Sequence, residues 1–477
     1  RCDGGPAGGD TVRGMAQAVA HRGPDGTTYW MSGSIGVSQC MLRTTPESLE
    51  EVQPLANDDE SLVLVMDGRV DNWEELRAEL LAVGKRLRTR SDAELVLRAF
   101  EAWGEKSVDH IDGDFAFAIW NARTRELFCA RDRMGNKPFT YYWDGRTLLF
   151  ASELRAILSV PSVPQVFNED MAVEYLADEW LSDDETLWKG VMRLPAAHAM
   201  RVGHAGPTVT RYWQPSLATL PYTRDDEYFE HYRSLFTDCV RRLSRSQKPV
   251  AYHVSGGLDS SAVFCVAENL RKAGSLPAPA IQGYTLAVTD FEAANEIKYA
   301  RAVGAHLGVV IKEAAPHVKN FAWFEEQADF YRDFPGYPNG TFDAELLAHA
   351  LADGSRAVVT GLGGDQTVRG SGSHYAEEIE DRNWTKLYEC WRSDVAAFGV
   401  RHSAAAMVRD GLLPSMPERV KAILRPLASR LDARNCRNVY WLTSAMRERL
   451  VTRRASGRSI RPRRARRVQT HLLDAIQ

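Results

Sequence analysis

Short apolar runs separated by turn residues dominate the chain from about Ser34 to Phe150. Strand-like runs are SIGVSQCML, SLVLVMDG, FAFAIWNARTRELFCARD and FTYYWDGRTLLFAS, the last with a hairpin-type pair at Asp144 and Gly145. Between them, NWEELRAELLAVG and SDAELVLRAFEAWG place apolar residues three or four positions apart, which predicts helices, the second with Ser91 as its N-cap. This half is predicted to form packed antiparallel sheets covered by helices.

The pattern changes after a bridging segment, RYWQPSLATLPYTRDDEYF. Strand, glycine turn and helix then follow one another, as in PVAYHVSGGLDSSAVFCVAENLRKAG and SRAVVTGLGGDQTV. This alternation is typical of a parallel sheet with crossover helices. The sequence therefore predicts two domains of different architecture.

Composition narrows the class of protein. The 477 residues carry a formal net charge of −4, which gives no general argument for a nucleic-acid or membrane partner. No apolar run approaches the ~18 residues of a membrane-spanning helix. The seven cysteines are scattered and form no CxxC pair, which favours reduced thiols in a cytoplasmic protein over a disulfide framework or a zinc site.

The segment from Arg447 to Arg467 is densely basic. Such a segment can contact nucleic acid or pyrophosphate, but no aromatic residues interleave for base stacking. A solvated basic face is the favoured interpretation, and no nucleic-acid partner is expected.

The stretch YHVSGGLDSSAVF, residues 252–264, joins a predicted strand to a predicted helix. Its glycines let the backbone approach a ligand, and the N-terminus of the following helix favours a polyphosphate. Asp259 suits Mg²⁺ bridging the phosphates. The alternative is an ordinary glycine turn in which Asp259 caps the helix, and the stretch is not a Walker loop because no GK[ST] follows. The predicted nucleotide contacts are Val254, Ser255, Gly256, Gly257, Leu258, Asp259, Ser260 and Ser261.

The stretch VVTGLGGDQ, residues 358–366, repeats this arrangement with a second acid, Asp365. Ligands collect at the carboxyl ends of parallel strands, so both turns are predicted to open onto one crevice and both aspartates to share Mg²⁺. Thr360 and Gly361 are predicted to line the nucleotide. The alternative is a loop whose glycines serve only its own geometry.

Three weaker candidates lie nearby. Tyr284 and Thr285, at the next predicted strand, are predicted to flank the base of the nucleotide, and the alternative for the aromatic Tyr284 is a place in the core. Glu296 contributes to the site or belongs to a solvated helix face.

These motifs carry a family resemblance. SGGLDSS resembles the pyrophosphatase loop of the asparagine synthetase family, and a series of segments in the first half is similar, in order, to its glutaminase domain: AHRGPDG, MDGRVDNWEEL, SDAE, DGDFAFAIW, ARDRMGNKPFTYY and FASELRAIL. The resemblance implies an α+β, Ntn-type αββα sandwich over residues 1–205 and a linker over 206–225. It also implies an α/β parallel-sheet ATP-pyrophosphatase domain, similar to the adenine nucleotide α hydrolases, over 226–477.

The first half departs from the family pattern. A glutaminase of this kind uses an N-terminal cysteine whose own α-amine is the base, whereas Cys2 follows Arg1 here. Where the family reads Asn-Gly-Glu to hold glutamine, this chain reads Asp67, Gly68, Arg69. Asp92 stands where a second glutamine contact would be, or serves as a helix N-terminal acid. The first half is therefore predicted to be an inactive glutaminase retained as a scaffold, with His21 structural.

Without ammonia from glutamine, another amine must attack the activated carboxylate. A peptide α-amine, with a pKa of about 7.7–8.0, is partly neutral at pH 7, whereas a lysine near 10.4 is not. DGRVDNWEEL, RLPAAHAMRV with the following RYW, and TGLGGD are similar to the lasso peptide cyclases of this superfamily. The resemblance implies a macrolactam synthetase that uses ATP and Mg²⁺, with Asp259, Asp365 and Thr360 catalytic.

The implied partners are a precursor peptide, a leader-binding protein and a leader peptidase. Three alternatives stay open: a glutamine-hydrolysing asparagine synthetase, a β-lactam synthetase, and an ATP-binding scaffold without turnover. The β-lactam synthetases place a tyrosine where this chain has Leu362.

Overall fold

A computed structural model describes residues 1–179, 181–215, 220–288, 295–334, 341–364, 374–417 and 439–456. The chain divides into two compact units. The first comprises Arg1–Phe167, Asp184–Gln214 and Ala218–Leu362, and the second comprises Asn168–Asp183, Pro215–Leu217 and Gly363–Gln477. The predicted boundaries at residues 205 and 226 stay predictions.

The strands lie in the first unit. They are β1 Thr27–Ser32, β2 Ile35–Cys40, β3 Leu55–Ala56, β4 Leu62–Gly68, β5 Phe115–Asn121, β6 Glu126–Arg131, β7 Thr140–Trp143, β8 Leu148–Ala151, β9 Val191–Arg193, β10 His198–Gly203, β11 Gly206–Arg211, β12 Val250–His253, β13 Ile281–Leu286, β14 Lys312–Ala314 and β15 Ala357–Val359.

The α-helices occur in both units. They are α1 Gly9–Ala18, α2 Trp73–Ala82, α3 Asp92–Trp103, α4 Leu154–Leu158, α5 Glu169–Ala177, α6 Asp225–Leu243, α7 Leu258–Lys272, α8 Ile297–Leu307, α9 Phe321–Tyr331, α10 Thr341–Ala352, α11 His374–Glu380, α12 Trp384–Phe398, α13 Val400–Ala406, α14 Leu413–Ser415 and α15 Ser444–Ser456. A π-helical turn, Met407–Leu412, connects α13 with α14.

The first half of the chain forms antiparallel sheets. A six-stranded sheet has the order β11-β10-β6-β5-β4-β3, and a three-stranded sheet has the order β8-β7-β9. The centre of β5 is buried on both of its faces. Alternate residues of a strand point to opposite faces, so both faces of this sheet are covered.

Two apolar layers account for this burial. One joins the six-stranded sheet to α2 and α3, and the other joins it to β2 and to the strands of the smaller sheet. Helix α4 packs on the far side of that smaller sheet. The predicted αββα sandwich is confirmed, as is the N-cap: the Ser91 Oγ accepts a hydrogen bond of 3.3 Å from the backbone N–H of Glu94.

A four-stranded parallel sheet follows, with the order β14-β13-β12-β15. Val250, Tyr252 and Val254 pack on one face with α7 and α8, whereas Ala251 faces α10 on the other. Helices therefore cover both faces, as predicted for an α/β domain. Since β13 and β15 lie on opposite sides of β12, the carboxyl end of β12 is a topological switch point.

The second unit is helical in its described part. Helices α5 and α15 share an apolar cluster. The Arg449 Nη1 lies 2.8 Å from Asp170 Oδ1, and Arg453 Nε donates to Glu174 Oε1 at 2.5 Å. Three arginines of the basic segment, Arg449, Arg453 and Arg454, are therefore paired with acids, so the described start of this segment is not purely a solvated face. The rest of that segment, residues 457–467, lies outside the described residues.

None of the helices in the described ranges combines the length and apolar composition needed to cross a bilayer. Every cysteine in the described part of the chain is a free thiol, and Cys436 lies outside it.

The fully buried Tyr252 in β12 provides a test of the parallel domain. Its hydroxyl lies 2.5 Å from Ser244 Oγ, and burial raises the pKa of Tyr252 to about 12. We expect Tyr252→Phe to lower the free energy of unfolding by about 1 kcal/mol at pH 7, because one buried hydrogen bond is lost. Urea unfolding measures this.

The same substitution has a pH dependence. Because the pKa is higher in the folded state, the contribution of Tyr252 to the free energy of unfolding is fully present below the unfolded-state pKa of ~10. It is lost as the pH rises toward the folded-state pKa. The deficit of Tyr252→Phe should therefore shrink above about pH 10. The exposed Tyr29→Phe is the control, and a deficit that stays constant with pH would contradict the expectation.

Candidate functional site

The turn between β12 and α7 requires glycine at residue 256. Its φ is +94°, and a Cβ placed there would lie 2.5 Å from the Cβ of Tyr299 and 2.9 Å from the backbone nitrogen of Ala300. Helix α8 thus presses against the turn, and no larger residue fits without moving it. The carbonyl of Glu296 accepts hydrogen bonds from both Tyr299 and Ala300, and the Glu296 side chain is exposed, as the helix-face alternative predicts.

Two of the three predicted hydroxyl donors hold the turn itself. Ser260 Oγ accepts from the Ser255 N–H at 3.1 Å and lies 2.9 Å from the Ser255 Oγ. The Ser255 Oγ in turn accepts from the Gly257 N–H at 3.2 Å. The Ser261 Oγ is buried and has no hydrogen-bond partner among the residues that the structure describes. Ser261 is therefore the hydroxyl left to serve a ligand.

The second glycine turn lies directly against the first. Strand β15 pairs with β12 in parallel, with Val359 opposite Tyr252. A Cβ on Gly361 would lie 2.6 Å from the backbone nitrogen of Ser260 and 2.9 Å from its Cα. The structure thus brings Thr360 and Gly361 to the first turn of α7. Asp365 lies outside the described residues, so its proximity to Asp259 stays a prediction.

Other predicted contacts are less accessible. Val254 is fully buried in the core, so its side chain cannot face the nucleotide. Tyr284 is 1% exposed and donates its hydroxyl proton to Asp353 at 2.5 Å, so it belongs to the core and the adenine role is wrong. Thr285 is only 3% exposed, and its contact with the nucleotide stays a prediction. Leu258 and Leu362, in contrast, project into solvent at the two turns.

These residues fit ATP with Mg²⁺. The first N–H groups of α7 have no acceptor within the helix, and its dipole favours an anion at that end. Asp259 is half-buried in that first turn, where a carboxylate repels phosphate but suits a cation. The described ranges contain no group of three metal-binding side chains. Asp259 and the predicted Asp365 are the residues that would hold the metal.

The first half contains a cavity of about 550 Å³ between its sheets. Asp67 on its wall accepts from Arg22 at 2.8 Å and lies 3.0 Å from the Lys137 Nζ. Burial alone would raise the pKa of Asp67, but the charges of Lys137 and Arg22 outweigh it and lower the pKa below its ordinary value. The Asp67 carboxylate is thus already paired with two cations.

Arg69, on the same wall, is held by groups of the protein. Its Nε donates to Asp71 at 2.7 Å, and its Nη2 donates to the carbonyl of Arg242 at 2.6 Å. Arg242 belongs to the last turn of α6, where a cation is favoured by the helix dipole. Arg69 therefore connects the sandwich to α6.

Asp92 is occupied in a similar way. Its Oδ2 accepts from the Val70 N–H at 3.1 Å and from Arg245 Nη2 at 2.5 Å. The side chains of Arg245 and Asp92 are only 2% and 6% exposed. This carboxylate is neither a simple helix N-terminal acid nor a group facing the cavity.

Cys2 and His21 also have structural partners. The Cys2 nitrogen is a peptide nitrogen that donates to the Arg146 carbonyl at 2.8 Å, and burial raises the pKa of its thiol. His21 Nε2 lies 3.1 Å from Glu153, and its ring meets Phe330 edge-on. The structural interpretation of His21 agrees with these contacts.

Comparison with known families gives this geometry a context. A family model described as asparagine synthase matches residues 231–474, just over half of the chain. The chain belongs to the asparagine synthetase family. A second model, described as a glutamine amidotransferase domain, matches residues 3–213. The two halves of the chain thus follow the order of an asparagine synthetase, and the predicted Ntn-type fold of the first half is confirmed.

Two relatives illustrate the range of this similarity. The chain is 32% identical over 270 residues to asparagine synthetase [glutamine-hydrolyzing] 3 of Bacillus subtilis, covering 56% of this chain and 44% of that protein. It is 27% identical over 386 residues to amidase chry2 of Gibberella zeae, covering 77% of this chain and 57% of that one. The chain spans about half the length of the curated relatives it matches.

A solved structure of glutamine phosphoribosylpyrophosphate amidotransferase from B. subtilis covers 77% of this chain and 92% of its own. Its TM-score of 0.34 and 12% identity are too low to carry an argument.

Four basic residues that the sequence did not single out pair with acids in the structure: Arg22, Lys137, Arg245 and Arg356. Arg22 and Lys137 lie inside AHRGPDG and ARDRMGNKPFTYY, two segments that resemble the glutaminase domain of the family. That resemblance was the signal that could have identified them. Arg245 and Arg356 precede β12 and β15 in ordinary polar segments, where no signal marks them. Both are identified only by the acids they meet, Asp92 and Asp25.

The contact between the two turns can be tested at Gly361. We expect Gly361→Ala to displace the Thr360 turn from α7 and to weaken binding of ATP with Mg²⁺ by roughly 10-fold or more, because the new methyl group meets backbone rather than a flexible side chain. Isothermal titration measures the affinity. Gly14→Ala, on an exposed helix face with open space at its Cβ, is the control. Unchanged affinity in Gly361→Ala would refute the close approach.

Proposed function

We propose that this protein is an ATP-dependent C–N ligase that adenylates a carboxylate and transfers the acyl group to an amine. The contact between the Gly361 backbone and the first turn of α7 is the observation that carries this proposal. It joins the glycine turns that follow β12 and β15 into one phosphate-binding site, here called the cradle. A carboxylate oxygen attacks the α-phosphorus of ATP and pyrophosphate leaves. An amine then attacks the acyl carbon, AMP leaves, and the amine's proton passes to solvent or a base.

The residues of the cradle have distinct tasks in this proposal. The N–H groups at the start of α7 and the Ser261 hydroxyl bind phosphate oxygens, and Gly256 and Gly361 provide the room for close approach. Bound Mg²⁺ would stabilise the charge that develops on the leaving pyrophosphate. Asp259 would hold that ion, and Thr360 would position the α-phosphate.

The amine is the finer part of the proposal. Arg69 and Asp92, which replace or retain glutamine contacts of the family pattern, are taken up by Arg242 and Arg245. These contacts favour an amine substrate over ammonia from glutamine. We therefore propose a lasso peptide cyclase that joins an Asp or Glu side chain of a precursor to its N-terminal amine.

In this proposal a leader-binding protein and a leader peptidase prepare the precursor, since the α-amine must be free. The second candidate is a glutamine-hydrolysing asparagine synthetase. The 32% identity to the B. subtilis protein of that name favours it.

Product analysis separates the candidates. The protein is incubated with ATP, Mg²⁺ and a candidate precursor peptide, or with aspartate and glutamine, and the products are identified by mass spectrometry. Loss of one water from the peptide with release of AMP and pyrophosphate supports the cyclase. Asparagine formed from aspartate supports the second candidate, and failure to release pyrophosphate with any acceptor contradicts both and leaves an ATP-binding scaffold.

The role of Asp259 gives a sharper test. We expect Asp259→Asn to lower kcat for pyrophosphate release by about 100-fold or more, because the amide keeps the shape but loses the charge that holds the cation. Asp226→Asn, in the exposed first turn of α6, is the matched control and should leave the rate unchanged. Equal rates in both variants would remove Asp259 from the site.

A further inference from the structure

The sandwich half of the first unit contacts the amino-terminal ends of both strands that carry the nucleotide turns. Gln247, three residues before β12, donates its N–H to the Thr44 carbonyl and its side-chain amide to the Arg43 carbonyl, both at 2.9 Å. Arg356, the residue before β15, donates to the same Arg43 carbonyl at 3.2 Å. One short segment of the sandwich thus holds the starts of both strands.

Charge reinforces both attachments. Arg356 pairs with Asp25, and the Asp25 carboxylate also accepts from the Arg43 N–H at 2.7 Å. Arg245, before β12, pairs with Asp92 and donates to the Val70 carbonyl at 3.0 Å. The Arg245–Asp92 pair is almost fully buried, so removing Arg245 would leave the Asp92 carboxylate buried without its charged partner.

The attachments are close to the turns. Residues of a parallel strand rise about 3.3 Å each, so Arg356 lies within roughly 13 Å along the chain of Thr360. Strands β12 and β15 are hydrogen-bonded to each other over that distance. A displacement of the amino-terminal end of either strand is therefore transmitted along a few hydrogen-bonded residues to the glycine turn that follows it.

We propose that the sandwich half positions the nucleotide site. Asp25 acts through Arg356 and Asp92 acts through Arg245. These two acids are positioning residues that fix the places of β15 and β12, and with them the two glycine turns. The part of this inference that concerns ATP rests on the proposed function. The part that concerns the order of the strands does not.

Arg356→Leu tests this positioning role without changing a residue of the two glycine turns. Hydrogen–deuterium exchange in residues 250–261 and 357–362 should become at least about threefold faster, because these strands lose an attachment while the rest of the fold keeps its own. Exchange in 115–131, the centre of the sandwich, should not change. The dissociation constant of a non-hydrolysable ATP analogue with Mg²⁺ should rise about fivefold or more. Arg356→Lys should keep both the exchange rates and the dissociation constant close to those of the unmodified protein, because it retains the positive charge.

Arg301→Leu is the matched control, since it removes an exposed ion pair with Glu313 from the same parallel domain. If Arg356→Leu does not fold, Asp25→Asn breaks the same ion pair from its acidic side while keeping the shape of that side chain. Unchanged exchange in residues 250–261 and 357–362, or an equal increase over the whole chain, would overturn the proposal that the sandwich half positions these strands. Because exchange is read on the protein without ligand, it decides this point even if no ligase activity is found.

Discussion

The parallel pairing of β12 with β15 is the constraint on which the candidate site depends. These strands are distant in sequence, and each carries a glycine turn at its carboxyl end. Because Val359 lies opposite Tyr252, Gly361 meets the backbone of Ser260, and only hydrogen fits between them. A change in register by one residue would put the turns out of reach of each other and would exchange the two faces of β15.

Buried ion pairs are weak arguments for stability, because desolvation offsets much of their attraction. Their value lies in geometry: the Nη2 of Arg245 donates both to Asp92 and to the Val70 carbonyl, and Glu47 Oε2 lies 3.6 Å from its Nη1. An apolar contact at this place would tolerate sliding, whereas this pair specifies one position for the chain entering β12. The cost of burying the charges is consistent with a need for geometry rather than for stability alone.

Local patterns predicted much of this molecule. Ser91 and the apolar spacing after it define α3, and the strand, glycine turn and helix around Gly256 follow from backbone chemistry that is local in sequence. The neighbours of each residue were less predictable. Tyr284 and Val254 stand at positions typical of ligand contacts, but α10 and α7 cover them. The roles of Arg245 and Arg356 depend on acids more than 150 residues away, which no periodicity reveals.

Arg69 shows how one residue connects these points. A carboxylate at this position would lie beside the carbonyls at the C-terminus of α6, where the helix dipole is unfavourable to an anion. A guanidinium is stabilised there, and Asp71 and the Arg242 carbonyl orient it. The positive charge of Arg69, which the sequence analysis singled out as a departure from the family pattern, is therefore what attaches the sandwich to α6.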